Sequence, residues 1–339
     1  MGCEEASACN NAMIRVAVLG AGRIGKIHAR NVAAHPGCRL IAVADPLKAA
    51  ARALASSLGA QASADSAAVL SRDDVDAVII GTPTDTHVDF ILEGARRGKA
   101  VLCEKPIDLD ISRADHAVAE VERLGARVMI AFNRRFDPSA AAMKRAIDAG
   151  EIGEVRQVII TSRDPEPPPP GYTGSGGVFR DMTIHDFDMA RFLLGEEPVE
   201  VLAMGNALID PETPEGYDTL MVMLRTASGR QCHINNYRQA VYGYDQRFEV
   251  LGSRGLLMNE NLRPTTLRRW SGERTEAKDP LLYFFLERYA EAYRLELDAF
   301  VAALDAGNAM PVTARDGRAA LRLADAALES AQTARAIKV

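Results

Sequence analysis

Hydrophobic and polar positions follow two different rhythms along this chain of 339 residues. From Arg15 to about Ala149, short apolar runs alternate with stretches of helical spacing. The runs at 16–19, 40–44, 77–80, 100–102 and 128–131 are nearly continuous in apolar residues and bounded by turn signals. Strands covered on both faces have this character. Ala-rich segments at 48–58 and 113–124 carry helical spacing between them. The alternation predicts an α/β fold: a doubly wound parallel sheet with helices on both faces.

After Glu151 the rhythm changes. Runs at 155–161, 199–204, 219–224, 231–235 and 247–251 read as strands with no regular helices between them. Phe248 and Val250 alternate with Arg247 and Glu249, which leaves one face to solvent. An α+β domain with a large open-faced antiparallel sheet is expected. Two long helices close the chain. In the first, Leu286, Tyr289, Tyr293, Leu297, Phe300 and Leu304 recur at intervals of three and four. The second starts at Thr313 and Asp316, which suit a capping box. The chain thus divides into an extension at 1–12, a first domain at 13–135 and a second at 136–339, whose last helix is free to pack back on the first. The prolines and glycines of 165–177 suit a loop over a pocket or at a subunit contact.

Composition narrows the partners. The net charge is -6 and the pI about 5.6, so no basic face for nucleic acid is expected. No run of about 18 apolar residues suggests a membrane span, and the first residues lack the basic and apolar regions of a signal peptide. Gly2 invites myristoylation, but Ala6 stands where the motif wants Ser or Thr. The five cysteines, Cys3, Cys9, Cys38, Cys103 and Cys232, are odd in number and show no CxxC pair. Neither a disulfide framework nor a zinc site is expected, and a reducing, cytoplasmic setting is the simpler one.

The strongest chemical signal is the first turn. Gly20-Ala21-Gly22-Arg23-Ile24-Gly25 follows an apolar strand and opens a helix. Gly20 permits a tight turn, Gly22 lets the backbone approach a pyrophosphate, and Gly25 lets helix and strand pack closely. Free N–H groups at the helix start then receive the phosphates. The second strand ends on Asp45, whose carboxylate can accept hydrogen bonds from both ribose hydroxyls. Asp45 would also repel a 2′-phosphate, which favours NAD over NADP, with Lys48 as a nearby opposing charge. The loop Thr82-Pro83-Thr84-Asp85-Thr86-His87 follows another strand, at the sheet edge where ligands bind in this architecture. It is equally a plain strand-to-helix turn, capped by Thr84 or Asp85.

Two further constellations carry reactive groups. Glu104-Lys105-Pro106 sits at a strand's carboxyl end, before a proline that tolerates a cis bond. There the Lys105 ammonium can reach the crevice and hydrogen-bond a hydroxyl. Asp181 and His185, four apart, share a face of a helical turn. A carboxylate beside an imidazole raises its proton affinity and fixes its ring, as a general base requires. A structural Asp–His pair fits the same spacing. His185, Asp186 and Asp188 also offer metal ligand atoms, but no second His/Cys cluster supports them, so no metal is expected.

The glycine motif, Asp45, Glu104-Lys105-Pro106 and Asp181-xxx-His185 together resemble the Gfo/Idh/MocA oxidoreductase family. The segments 82–87, 132–137 (FNRRFD), 179–194 and 242–245 (YGYD) resemble the branch that acts on inositol. The likeness runs from about Ile14 to the last helix. It implies a Rossmann domain and an open-sheet domain that commonly mediates tetramers. It implies NAD-dependent oxidation of a cyclic polyol, with myo-inositol to scyllo-inosose the best match and scyllo-inositol, another cyclitol or an aldose as alternatives. A non-catalytic sensor of NAD or ligand is the remote one. Lys105, Asp181 and His185 match the family's catalytic triad. By the same likeness, Asn133 and Tyr244 lie near the substrate and Asp188 binds a hydroxyl; Arg135 joins them by residue type. Arg23, Ile24, Thr82, Pro83, Thr84, His87 and Glu104 fall beside the cofactor.

Overall fold

The computed structural model describes residues 13–169, 176–211 and 216–339. The extension at 1–12 and most of the glycine-rich half of the 165–177 loop lie outside these residues.

The first sheet is parallel throughout and has six strands. In chain order they are β1 (Ile14–Leu19), β2 (Cys38–Ala44), β3 (Gln61–Ser63), β4 (Ala77–Ile80), β5 (Ala100–Glu104) and β6 (Val128–Ala131), and in space 3-2-1-4-5-6. The helices between them are α1 (Arg23–Ala34), α2 (Lys48–Ser57), α3 (Ser66–Leu70), α4 (His87–Arg96) and α5 (Ile111–Leu124). All four residues of β4, and of β6, are buried. That is why these runs carry no polar alternation. The order reverses between β1 and β4, so the turns after those strands diverge and open a crevice at the sheet's carboxyl edge.

After α6 (Pro138–Asp148) comes the second sheet. It contains β7 (Val155–Arg163), then, beyond α7 (Ile184–Leu194), β8 (Pro198–Asn206), β9 (Thr219–Thr226), β10 (Gln231–Tyr237), β11 (Asp245–Gly252) and β12 (Leu256–Met258). Its order is 12-11-7-10-9-8, and a short last strand, Ile337–Lys338, adds to the β8 edge. The sheet is mixed, not antiparallel throughout, because β10 pairs with β7 in parallel. The chain returns to β7's side only after α7, β8 and β9, and this crossover restores its direction. The alternation in β11 does bury Phe248 and Val250. The opposite face is not simply polar, however: Ile159, Leu202, Met204, Met221, Met223 and Leu251 are exposed.

The first closing helix is interrupted. A short turn, α8 (Phe285–Arg288), breaks at Tyr289 before α9 (Ala290–Asp305). Leu286 therefore leaves the expected stripe and is exposed. Tyr289, Tyr293, Leu297 and Phe300 are buried as their spacing requires. The last helix, α10 (Ala314–Thr333), starts on the expected capping box of Thr313 and Asp316. Leu297, Phe300, Val301 and Leu321 join the core of the parallel sheet, whereas Leu323, Ala324 and Ala327 join that of the mixed sheet. Helix α10 thus stitches the two cores. Cys38, Cys103 and Cys232 are free and buried.

Candidate active site

The glycine turn has the geometry its sequence requires. Gly20 has φ +98°, and a Cβ there would meet the Gly81 carbonyl oxygen at 2.4 Å. A Cβ on Gly25 would lie 2.0 Å from the Gly20 carbonyl oxygen. At Gly22 a Cβ would meet nothing within 4 Å, so the space over this turn is open to a ligand. Gly22 caps α1 and has no side chain to take up the first N–H groups of the helix. Asp45 accepts from the Ala21 and Leu47 N–H groups, each at 2.8 Å, which fixes its carboxylate beside the turn. A pyrophosphate and an adenosine ribose fit this donor and acceptor set. Gly25→Ala is expected to cost about 1–3 kcal/mol, because backbone must move to admit the methyl. A urea midpoint unchanged from wild type would show that the close approach is not needed.

Beyond the turn lies a cavity of about 590 Å³. Arg23, Ile24, Thr82, Pro83, Thr84, His87 and Glu104 line it from the parallel-sheet side. Lys105, Asn133, Asp181, His185 and Tyr244 line it as well. Both ring nitrogens of His87 lie beside carbonyl oxygens, Nδ1 at 2.8 Å from that of Pro106 and Nε2 at 2.9 Å from that of Thr82. The ring thus ties the loop after β4 to the loop after β5. The Lys105–Pro106 bond is cis.

Lys105 reaches across to the other half of the molecule. Its Nζ donates to the Asp181 carbonyl oxygen at 2.8 Å and stands 3.6 Å from the Asp181 carboxylate. Arg238, which sequence reasoning did not find, donates to that carboxylate at 2.9 Å. The Asp181–His185 pairing expected from helical spacing is not formed through the inner ring nitrogen. His185 Nδ1 is buried and has no hydrogen-bond partner among the described residues. Asp181 stands in a π-helical turn, Phe179–Thr183, and His185 in the α-helix that follows it, so the two do not share one regular helix. Nor is the proton affinity of His185 raised. Burial, then the charges of Lys105 and Arg134, hold its pKa well below the usual imidazole range. At neutral pH it is a neutral imidazole, the form that can accept a proton.

Two expected substrate contacts fall elsewhere. Arg135 donates to Asp188 at 2.8 and 2.6 Å and to Asp316 at 3.0 Å, away from the cavity. Asp188 is fully buried in that ion cluster with Arg191. Arg134 and Arg135 are consecutive in the 3₁₀ turn Asn133–Phe136, which points them about 120° apart. It is Arg134 that lines the cavity, anchored by Asp186 at 2.7 Å and set over the Tyr289 ring. Asp164, just beyond β7, also lines the cavity and was missed, since one acid after a strand carries no motif. Burial pushes its pKa up to about 6, with Arg238 and Arg134 pulling it down and Asp181 pushing it up. Among the described residues no group of three or more His, Cys, Asp or Glu side chains could hold a metal ion.

A parallel sheet of order 3-2-1-4-5-6, a glycine turn open to phosphate and a second domain closing the cavity define a nicotinamide-dependent oxidoreductase. The chain belongs to the Gfo/Idh/MocA family: residues 14–132 match the oxidoreductase family with an NAD-binding Rossmann fold, and residues 140–258 match the Gfo/Idh/MocA C-terminal domain. Inositol 2-dehydrogenase of Rhizobium meliloti is 50% identical over 329 residues, 96% of this chain and 99% of that protein. A solved myo-inositol dehydrogenase from Corynebacterium glutamicum is 47% identical, with a TM-score of 0.93 over 96% of this chain and 99% of that one. The scyllo-inositol dehydrogenase of Lactobacillus casei, solved with NAD(H) and scyllo-inositol, is 28% identical, with a TM-score of 0.89 over 96% and 99% of the two chains.

Proposed function

We propose that this enzyme oxidises one secondary alcohol of a cyclic polyol, myo-inositol to scyllo-inosose, with NAD as acceptor. The observation that carries it is the meeting of Lys105, Asp181 and His185 in a cavity that begins at the glycine turn. Residues 13–135 would bind the cofactor and 136–339 the polyol. Bound nicotinamide supplies the hydride acceptor. The chain's own groups handle the proton and the substrate. His185 takes the hydroxyl proton, and Lys105 holds the reacting oxygen. Asp181, steadied by Arg238, balances the charge that appears on the imidazole. Asn133, Tyr244, Arg134 and Asp164 hydrogen-bond the remaining ring hydroxyls. The crevice glycines, with Arg23, Ile24, Thr82, Pro83, Thr84 and Glu104, position the cofactor, and Asp45 selects NAD over NADP.

Scyllo-inositol is the second candidate substrate, since a relative of the same fold carries that name. Initial rates with NAD and NADP against myo-inositol, scyllo-inositol, other cyclitols and aldoses decide between them. The highest kcat/KM is expected for myo-inositol with NAD, and no NADH formation with any cyclitol overturns the proposal. Asp164→Asn is expected to raise KM for the polyol more than it lowers kcat, because it removes a binding carboxylate and not the base. An unchanged KM removes Asp164 from the site. The exposed apolar residues of the mixed sheet favour a homo-oligomer, a tetramer in keeping with the family. No helix among the described residues is long and apolar enough to cross a membrane, and a cytoplasmic setting suits the buried free thiols.

A further inference from the structure

One polar cluster takes no part in this chemistry. Glu296, on α9, is fully buried, and neither of its carboxyl oxygens has a hydrogen-bond partner among the described residues. His28, on α1, is buried as well; its Nε2 lies 2.8 Å from Glu104 Oε1, while its Nδ1 has no partner among the described residues. Tyr293 sets its ring against His28 edge-on, with centroids 5.7 Å apart. Glu104 in turn lines the cavity, as do Ile24 and Lys105. Glu296 stands three residues after Tyr293 on α9, and Glu104 is near enough for its charge to act on both of them.

Leaving such a buried carboxyl group without any partner is costly, and more so if it is charged. Proteins satisfy buried polar atoms of this kind with bound water. A metal ion is a poor occupant, since no group of three or more ligating side chains exists among the described residues. Burial, and then the charge of Glu104, hold the Glu296 carboxyl well above the usual carboxylate range, so it carries a proton at neutral pH.

We propose that bound water joins Glu296 to His28 Nδ1, and that Glu296, His28 and Glu104 form a buried proton store whose filling follows the charge of the ligand in the crevice. A cationic ligand near Glu104 favours the ionised cluster, and in a low-dielectric interior that preference is strong. A neutral ligand exerts no such pull. The release is a chain of simple transfers. The Glu296 O–H proton passes to water, and water gives one to His28 Nδ1. His28 then gives its Nε2 proton to Glu104, which delivers it to the crevice. Each transfer breaks one O–H or N–H bond and forms another, with no redox partner. The groups facing the store are Glu104 from β5, His28 from α1 and Tyr293 from α9, with Arg134 and Tyr244 acting on Tyr293.

The proposal rests on the crevice binding NAD, and its test separates the two. Calorimetric titration with NAD⁺ and with NADH, in two buffers of different ionisation heat, counts protons released per site. The wild type is expected to release more protons with NAD⁺ than with NADH, and Glu296→Gln to abolish the difference. Equal counts in the wild type, or an undiminished difference in the variant, overturn the proton store. Failure of both ligands to bind overturns the store and the crevice together. Infrared difference spectra of the wild type need no variant. The carbonyl band of a protonated carboxyl group is expected to weaken with NAD⁺ and not with NADH; a band indifferent to both overturns the proposal.

Discussion

Replacing His185 with alanine is expected to lower kcat by a factor on the order of 10²–10⁴, the usual contribution of a positioned general base. Binding of NAD should survive, because the glycine turn and Asp45 are untouched. The structure makes His185 suited to the task in a particular way. The ring is desolvated and lies near two cations, Lys105 and Arg134, so it stays neutral at neutral pH and accepts a proton only when a proton is offered. The pH profile follows from the sign of that shift. Activity needs the neutral ring, so kcat/KM falls as pH drops through its pKa, and this limb should lie below the usual imidazole value of about 6.5. Steady-state rates from acid to neutral pH check both points. Unchanged turnover in His185→Ala removes the residue from the mechanism.

Lys105→Met should have the second large effect. The ammonium is one of the groups expected to hold the reacting oxygen, and losing such a preorganised contact costs about 10²–10³ in kcat. The variant carries a second signature. Lys105 is the largest charge depressing the His185 pKa after burial itself. Without it the imidazole should bind a proton more readily, and the acid limb should move to higher pH. The moved limb reports the lost charge, and the fall in kcat reports the lost contact to the reacting oxygen. An unmoved limb, or one displaced to lower pH, would therefore contradict the assigned electrostatics.

The parts of the fold that local pattern dictates were legible. Strands such as β4 and β6, buried on every residue, announce themselves as unbroken apolar runs. The glycine turn was legible for a stronger reason: at Gly20 and Gly25 the backbone leaves no room for a methyl, so composition and geometry are the same fact. The parallel pairing of β7 with β10 was not legible, because strand direction depends on a crossover and not on the side-chain pattern of either strand. In the site, sequence found the groups that stand in motifs. It misjudged those whose direction depends on helix type. Asp181 stands in a π-helical turn and His185 in the helix after it, and a 3₁₀ turn sends Arg134 into the cavity and Arg135 into an ion cluster with Asp188. Arg238 and Asp164 come from the mixed sheet's margins, far from any motif, and only tertiary folding brings them to Asp181.

The most direct measurement is a crystal structure of the enzyme with NAD and myo-inositol bound. One ring hydroxyl is expected within hydrogen-bonding distance of both His185 Nε2 and Lys105 Nζ, with its carbon facing the nicotinamide. A polyol seated elsewhere, or one whose nearest hydroxyl touches neither side chain, would contradict the assignment.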